Sequence, residues 1–336
     1  MLLLAGDIGG TKTLLGLYDY EPDTHPATPP RELERARFGS KEHPSLEAVL
    51  ALFLQGRQVA VAVFAVAGPV VDGRWKGTNF AWELDMRVLS AGLGAPVALL
   101  NDLEAAVFGL SELREDELRV LAPGQRDPSG PIAILAAGTG LGEAIAVPLP
   151  DGGLRVLASE GGHTDFAARN ALEIALLQFL FARHKKRVSV ERAVSGPGLV
   201  ALHEFVLAED LVPADPDTAE QMRSGDPGEV IARRGERGED AACARALDLF
   251  VALYGAEAGN LALKVLPTGG LYIAGATAQK LAARLERGDF MAAFLDKGRM
   301  APLLARLPVL LVLQPDLGLL GARAHAAGIC RTNLAQ

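Results

Sequence analysis

The 336-residue chain is 49% hydrophobic and 22% charged, which excludes a disordered, collagenous or fibrous protein. Its length argues for two domains, since single cores stop growing near roughly 250 to 300 residues. Lys and Arg number 33 against 41 for Asp and Glu, and a net charge of −8 is the wrong sign for a partner of nucleic acid. Two cysteines, Cys243 and Cys330, exclude a disulfide framework and a four-cysteine zinc site and suit a reducing cytoplasm. The opening MLLLAGDIGG lacks the basic start of a signal peptide, and no stretch reaches 18 uninterrupted apolar residues, so no membrane segment is expected.

In chain order, Leu2–Ala5 reads as a strand, Gly9-Gly10 as a turn and Thr13–Tyr18 as a second strand, together a hairpin. A polar connection with four prolines follows, then the helical SLEAVLALFL and the Val-rich VAVAVFAVAGPVV, a buried strand that turns at Gly68-Pro69. PVALL is another buried strand and runs into Asn101-Asp102 and the helical LEAAVFGL. Strands alternating with helices argue for an α/β sheet. After a polar break near Asp127–Gly130, PIAILAAGTGLGEAIAVPLP repeats the pattern of strand, glycine turn and strand, which suggests two related α/β lobes. Residues 171–184 and 241–266 have helical apolar spacing, and residues 211–240, with Pro213, Pro216 and Pro227, read as a loop with a short helix. GGLYIAGATAQK gives strand, turn and helix, PVLLVL the last strand, and LGLLGARAHAAG a terminal helix.

The segment Gly6-Asp7-Ile8-Gly9-Gly10-Thr11 can wrap phosphate oxygens with backbone N–H groups, though a plain hairpin turn explains Gly9-Gly10 equally well. It is not a Walker loop, because no glycine precedes Lys12 and a strand follows rather than a helix. Asp7 would serve a phosphate-bound Mg²⁺ through water. Gly138-Thr139-Gly140-Leu141-Gly142 fails the dinucleotide fingerprint at Glu143. Two such hairpins fit opposed jaws on a nucleotide triphosphate. Asn101-Asp102, where a strand meets a helix, is either a helix cap or a kinase base with its neighbour. Glu160-Gly161-Gly162-His163 suits vicinal sugar hydroxyls better than zinc. In Ser195-Gly196-Pro197-Gly198 a helix N-cap is the simpler reading.

GDIGGTKT, TNFAWELD, LLNDLEAA, AAGTGLGEA, EGGHTDFA, VSGPGL and GGLYIAGA, in this order from residue 4 to about 325, resemble the bacterial ATP-dependent glucokinase family. The resemblance implies the two-lobed α/β fold of actin-like ATPases (ribonuclease H-like), with a cleft between the lobes. It implies a small lobe of residues 1–112 completed by a C-terminal helix at 318–336, and a large lobe of residues 113–317. Carried over, Asp102 would be the general base, and Asn79, Asn101, Asp102, Glu160, His163 and Glu191 would hold glucose. Gly6 to Thr11 and Gly138, Thr139 and Gly140 would hold the phosphates of ATP, with Gly269, Gly270 and Gly275 on the adenosine side. The family implies ATP, Mg²⁺, glucose and a cytoplasmic homodimer. The related repressor and sugar-kinase superfamily has a cysteine-rich zinc motif where EGGHTDFAARN has none. A kinase of another hexose, or a silent sugar-binding regulator on the same fold, remains an alternative. Residues 20–35 and 211–235 match least and carry no predicted site.

Overall fold

The computed structural model describes residues 1–21, 28–77, 81–150 and 153–334. The chain divides into two compact units, Met1–Glu115 with Asp316–Gln336, and Asp116–Pro315.

The first unit contains β1 (Leu2–Ile8), β2 (Lys12–Asp19), β3 (Arg31–Gly39), β4 (Val61–Val66), β5 (Arg74–Lys76), β6 (Glu83–Asp85) and β7 (Val97–Asn101). Among the described residues, five of them form a sheet in the order β3-β2-β1-β4-β7. β1 is antiparallel to β2 and parallel to β4, and β4 is parallel to β7. Every residue of β4 is buried, because both faces of the sheet are covered and alternate side chains enter different cores. Ala62, Phe64 and Val66 pack with helices α1 (Leu46–Leu54) and α2 (Met86–Leu93), while Val61, Val63 and Ala65 pack with the C-terminal helix Leu317–Leu334. Burial of a side chain such as Phe64 contributes about 1.5–3 kcal/mol. The C-terminal helix also lies on α3 (Asp102–Gly109) and forms an ion pair from Arg323 to Glu112. β3 is a finding against the reading of a polar connection. Its sequence, RELERARFG, has no apolar alternation, because it is a largely exposed edge strand paired only to β2, where charged side chains also discourage edge-to-edge association.

In the second unit, β8 (Leu118–Ala122), β9 (Ile132–Ala137), β10 (Leu141–Pro148), β11 (Leu154–Ser159), β12 (Gly270–Ala274) and β13 (Val309–Val312) form a sheet in the order β11-β10-β9-β12-β13-β8 among the described residues. β9 and β10 form an antiparallel hairpin, and β9, β12 and β13 run parallel, the arrangement of the first unit with β8 added at one edge. The helices around it include α4 (Ala171–His184), α5 (Gly196–Ala208), α6 (Pro216–Ser224), α7 (Pro227–Glu236), α8 (Ala241–Val265) and α9 (Ala276–Lys280). α8 runs through the core, where the Tyr254 hydroxyl sits 3.0 Å from the Leu135 carbonyl and 3.1 Å from that of Ala274, fixing the ends of β9 and β12.

Residues 211–240 contain two helices rather than a loop with one short helix. Asp215 and Asp226 are N-caps, and Pro216 and Pro227 occupy the first helical positions, where a missing N–H has no cost. By length and composition α8 could cross a membrane, yet 78% of its apolar window is buried inside the unit, as in a core helix.

Candidate active site

In the first unit, the end of β1 places Asp7 beside the turn to β2. Burial pushes the Asp7 carboxyl up to about 6, Lys12 opposes the rise, and Asp102 and Asp316 add to it. The turn is closed by Gly9 N–H donating to the Lys12 carbonyl at 2.9 Å. It is braced from a distant part of the chain, since the Ser40 hydroxyl donates to the Gly9 carbonyl at 2.7 Å and Ser40 N–H donates to the Thr11 carbonyl at 3.2 Å. Lys12 Nζ lies 3.9 Å from Asp316, which also accepts from Arg35 at 2.9 Å. Ser40 and Asp316 lack any local motif in the sequence, and only the fold brings them to the turn.

Asn101 ends β7 and is the N-cap of α3. Its Oδ1 accepts from Leu103 N–H at 2.9 Å and its Nδ2 donates to the Gly68 carbonyl at 2.9 Å. Asp102 is exposed in the first turn of α3, where its Oδ1 accepts from Leu103 N–H at 3.0 Å. The positive end of the helix favours its charge. The structure thus makes Asn101 the cap and leaves Asp102 directed outward. Asn79 lies outside the described residues.

In the second unit, Gly138 N–H donates to the Gly140 carbonyl at 2.8 Å and Gly196 N–H donates to the Gly138 carbonyl at 2.8 Å, so the β9–β10 turn is tied to the start of α5. Ser195 caps that helix by accepting from Gly198 N–H at 3.0 Å. Glu191 joins two groups of candidates: its Oε2 accepts from Leu141 N–H at 3.0 Å, and its Oε1 is 4.0 Å from His163 Nδ1. His163 Nε2 is in turn 3.8 Å from Glu160. Glu160, His163 and Glu191, spread over about thirty positions of sequence, are therefore neighbours on one side of the turn. Gly162 fits there because a Cβ would fall 1.9 Å from the Leu141 carbonyl oxygen.

The turn also borders a cavity of about 400 Å³. Gly138 and Thr139 form one wall, Gly196-Pro197 another, and Asp226 and Glu229 of the α7 start a third. The size suits a small-molecule ligand, and the N-terminal end of α5, which carries no acidic side chain in its first turn, favours an anion, whereas the α7 start is acidic. The α7 wall falls within residues 211–235, which were expected to carry no site. Its only local signal is the Asp-Pro cap, which announces a helix and says nothing of a ligand. Gly275, with φ 93°, turns β12 into α9 against the Ala137 carbonyl, and α9 lines the same cavity through Ala276 and Lys280. Gly269 and Gly270 are not brought there. Gly270 opens β12 opposite Ile132, whereas Ala274 faces Ala136, so they lie at the other end of the strand, ~13 Å away at ordinary strand rise.

A family model described as Glucokinase matches residues 4–329. The chain is 41% identical to a glucokinase of Nostoc sp. over 343 aligned residues, which cover 97% of this chain and 99% of the relative. It is similar to the crystal structure of a glucokinase from an Antarctic psychrotroph, with a TM-score of 0.84 and 29% identity, covering 97% of this chain and 99% of that one. It is also similar to a glucokinase from Balamuthia mandrillaris in complex with glucose, with a TM-score of 0.78, 25% identity and coverage of 97% and 93%. The chain belongs to the glucokinase family, with its two-lobed actin-like α/β fold and its activity as an ATP-dependent hexose kinase.

Proposed function

We propose that the chain transfers the γ-phosphoryl group of ATP to the 6-hydroxyl of glucose, giving ADP and glucose 6-phosphate, with Asp102 as general base. The observation that carries this reading is the division of labour at Asn101-Asp102: the amide of Asn101 holds the strand-to-helix junction, and the Asp102 carboxylate is exposed at the helix start. As the sugar oxygen attacks in line, Asp102 takes its proton. The first unit contributes this base and the N–H groups of the Gly9–Thr11 turn. The second contributes Glu160, His163 and Glu191 as acceptors for sugar hydroxyls, and the cavity beside Gly138–Gly140 for the nucleotide.

Asp7 fits a divalent cation held through water. Its carboxyl is buried and raised, with two further carboxylates adding to the rise, so positive charge on the phosphate side would relieve it. When bound, Mg²⁺ supplies charge that offsets the phosphate oxygens. Following the resemblance, we also assign the protein as a cytoplasmic homodimer acting in glycolysis. Cys243 and Cys330 are both unpaired and buried, in keeping with a reducing compartment. A purely monomeric sedimentation profile at working concentration would remove the dimer.

The test is a coupled ADP-release assay with Mg-ATP across glucose, mannose, fructose, N-acetylglucosamine and no sugar. Glucose should give the highest kcat/KM, and sugar-independent background would point to a silent regulator. Asp102→Asn should lower kcat by ~10² to 10⁴ while the KM for glucose stays within a few-fold. Near-normal turnover in that variant would remove Asp102 as the base.

A further inference from the structure

Behind the sugar-side segment the second unit buries two acidic side chains that the mechanism above does not use. Glu143 points inward from β10 and is 2% exposed, and Glu257 points from the middle of α8 and is 3% exposed. Burial of a carboxylate demands compensation, and here the compensation is unequal. Glu257 Oε2 accepts from Asn260 Nδ2 at 2.8 Å, while its Oε1, with Lys264 Nζ at 3.8 Å, has no hydrogen-bond partner among the described residues. Glu143 Oε1 has no hydrogen-bond partner among the described residues. Its other oxygen is pressed against the sugar-side segment: a Cβ on Gly161 would fall 1.8 Å from Glu143 Oε2, so position 161 admits the carboxyl only because it is glycine.

The charged surroundings are few. Burial raises the Glu143 carboxyl to about 7, the neighbouring Glu257 adds to the rise, and Lys264 opposes it. Lys297 donates to Asn260 Oδ1 at 2.7 Å, and its other charged neighbours are Arg169, Glu173 and Asp296. From the segment itself the titratable groups are Glu160 and His163, both exposed. Across the ladder Glu143 is paired with Ser159, whose hydroxyl accepts from Gly161 N–H at 3.0 Å. One carboxyl with an amide donor and a cation at 3.8 Å, beside one whose Oε1 has no donor, is the arrangement in which a single proton is held between two acids.

We infer that Glu143 and Glu257 are a positioning pair that shares one proton and so holds Gly161, and with it Glu160 and His163, in place over α8 for the sugar. This inference rests on the glucokinase reading for its sugar, but not for its structural part. With the proton present, the Glu143 O–H donates to the Glu257 carboxylate and the segment rests on a neutral group. When the proton leaves to water, two buried carboxylates repel each other and Glu143 is driven against Gly161. Glucose affinity should therefore weaken as pH rises through neutrality, while the transfer step, which neither residue touches, keeps its rate.

The test compares the wild-type enzyme with Glu143→Gln, whose amide donates to Glu257 at every pH. From about pH 6 to about pH 8.5 the wild-type KM for glucose should rise roughly 10-fold, the equivalent of one hydrogen bond to a charged group, with kcat changing far less. In Glu143→Gln this component of the KM profile should be flat. Amide hydrogen exchange of a peptide spanning residues 159–164, measured without sugar and corrected for intrinsic rates, should lose protection with pH in the wild type only. Identical pH profiles in wild type and variant would overturn the inference, as would a wild-type segment whose protection ignores pH. Should Glu143→Gln not fold, Glu257→Gln must move the midpoint of both profiles to lower pH, and an unmoved midpoint also overturns it. If the exchange data behave as expected while no glucose-dependent ADP release is found, the pair stands and the glucokinase reading falls.

Discussion

In the first unit the β1–β2 turn follows the half-buried Asp7 and leads into Lys12, whereas in the second the β9–β10 turn follows Ala136 and Ala137 and leads into Leu141. The sheets around the two turns share one order, a hairpin beside two parallel strands. The shared geometry explains why each turn joins the corresponding pair of strands in its own sheet. The difference lies in charge. The first turn has its acid and base within six residues, and its braces, Ser40 and Asp316, hold the loop itself. The second has no charged side chain of its own, and its Leu141 N–H donates to Glu191 from fifty residues away, an acid that also faces His163. One sheet pattern thus carries a turn flanked by charged side chains once and a turn without charge of its own once, the first proposed for the cation and the second for nucleotide and sugar.

The comparison breaks most severely at Asp7. Asp7→Asn should reduce kcat by about 10² or more, on the scale of other electrostatic contributors, because it removes the carboxylate proposed for Mg²⁺. The same change should stabilise the fold. Burial raises the Asp7 carboxyl from 3.8 to about 6, so the unfolded chain gives up this proton first. The favourable contribution is complete below pH 3.8, is lost as pH climbs through about 6, and leaves a constant cost above that. Asp7→Asn should therefore gain about 1–3 kcal/mol at pH 7 and nothing near pH 3.5, as read by urea denaturation without ligand. A variant that loses activity and stability together would mean that Asp7 supports the turn instead.

Much of this was legible locally. The glycine turns, Asp7, Asn101-Asp102 and the Glu160–His163 segment are runs of neighbouring residues, and a run keeps its meaning wherever the fold places it. The buried strands were legible because β4 and β9 are apolar on both faces. What was hidden depends on distance or on punctuation. Ser40 and Asp316 reach the first turn from 31 and about 300 residues away, with nothing in their surroundings to mark them. Asp215-Pro216 and Asp226-Pro227 read as chain breakers, yet a proline at the first helical position starts a helix, and so the α7 wall of the cavity was missed. Gly269-Gly270 begins β12 as its sequence reads, at the opposite end of the strand from the cavity.

Glu191→Gln should have the next largest effect. It keeps an oxygen for Leu141 N–H but removes the charge, and hydrogen bonds to charged acceptors are stronger than neutral ones by an amount worth roughly 5- to 30-fold in binding. The expected outcome is a KM for glucose about 10-fold higher and a KM for ATP a few-fold higher, because one side chain contacts both the turn and His163 of the proposed sugar site. If only the glucose value moves, the second turn is independent of Glu191 and the two functions of that hairpin separate. Lys12→Met should do less. Its ion pair to Asp316 spans 3.9 Å with Lys12 substantially exposed, a kind of pair worth about 0–1 kcal/mol, so the KM for ATP should rise only a few-fold and Tm should barely change. A fall in kcat beyond about 10-fold would place Lys12 on the transferring phosphoryl group and widen the contrast with the neutral second turn.

The smallest functional effect should come from Gly269→Ala, and it tests whether the two ends of β12 differ as the fold requires. At the cavity end, Gly275 combines φ 93° with close contact to the Ala137 carbonyl, so Gly275→Ala should disturb the turn proposed for the nucleotide. At the far end, a Cβ on Gly269 would lie 2.5 Å from the Gly130 carbonyl oxygen, a backbone atom that cannot swing aside. Gly269→Ala should therefore cost about 1–3 kcal/mol of stability through local displacement of the 130–131 segment. Per folded molecule, kcat and both KM values should match the wild type, because the displacement lies at the opposite end of the strand from the cavity. Active-site titration combined with thermal melting separates these outcomes. A raised KM for ATP in fully folded Gly269→Ala would mean that β12 transmits strain along its length, and that the glycine pair reaches the nucleotide through the strand rather than by touching it.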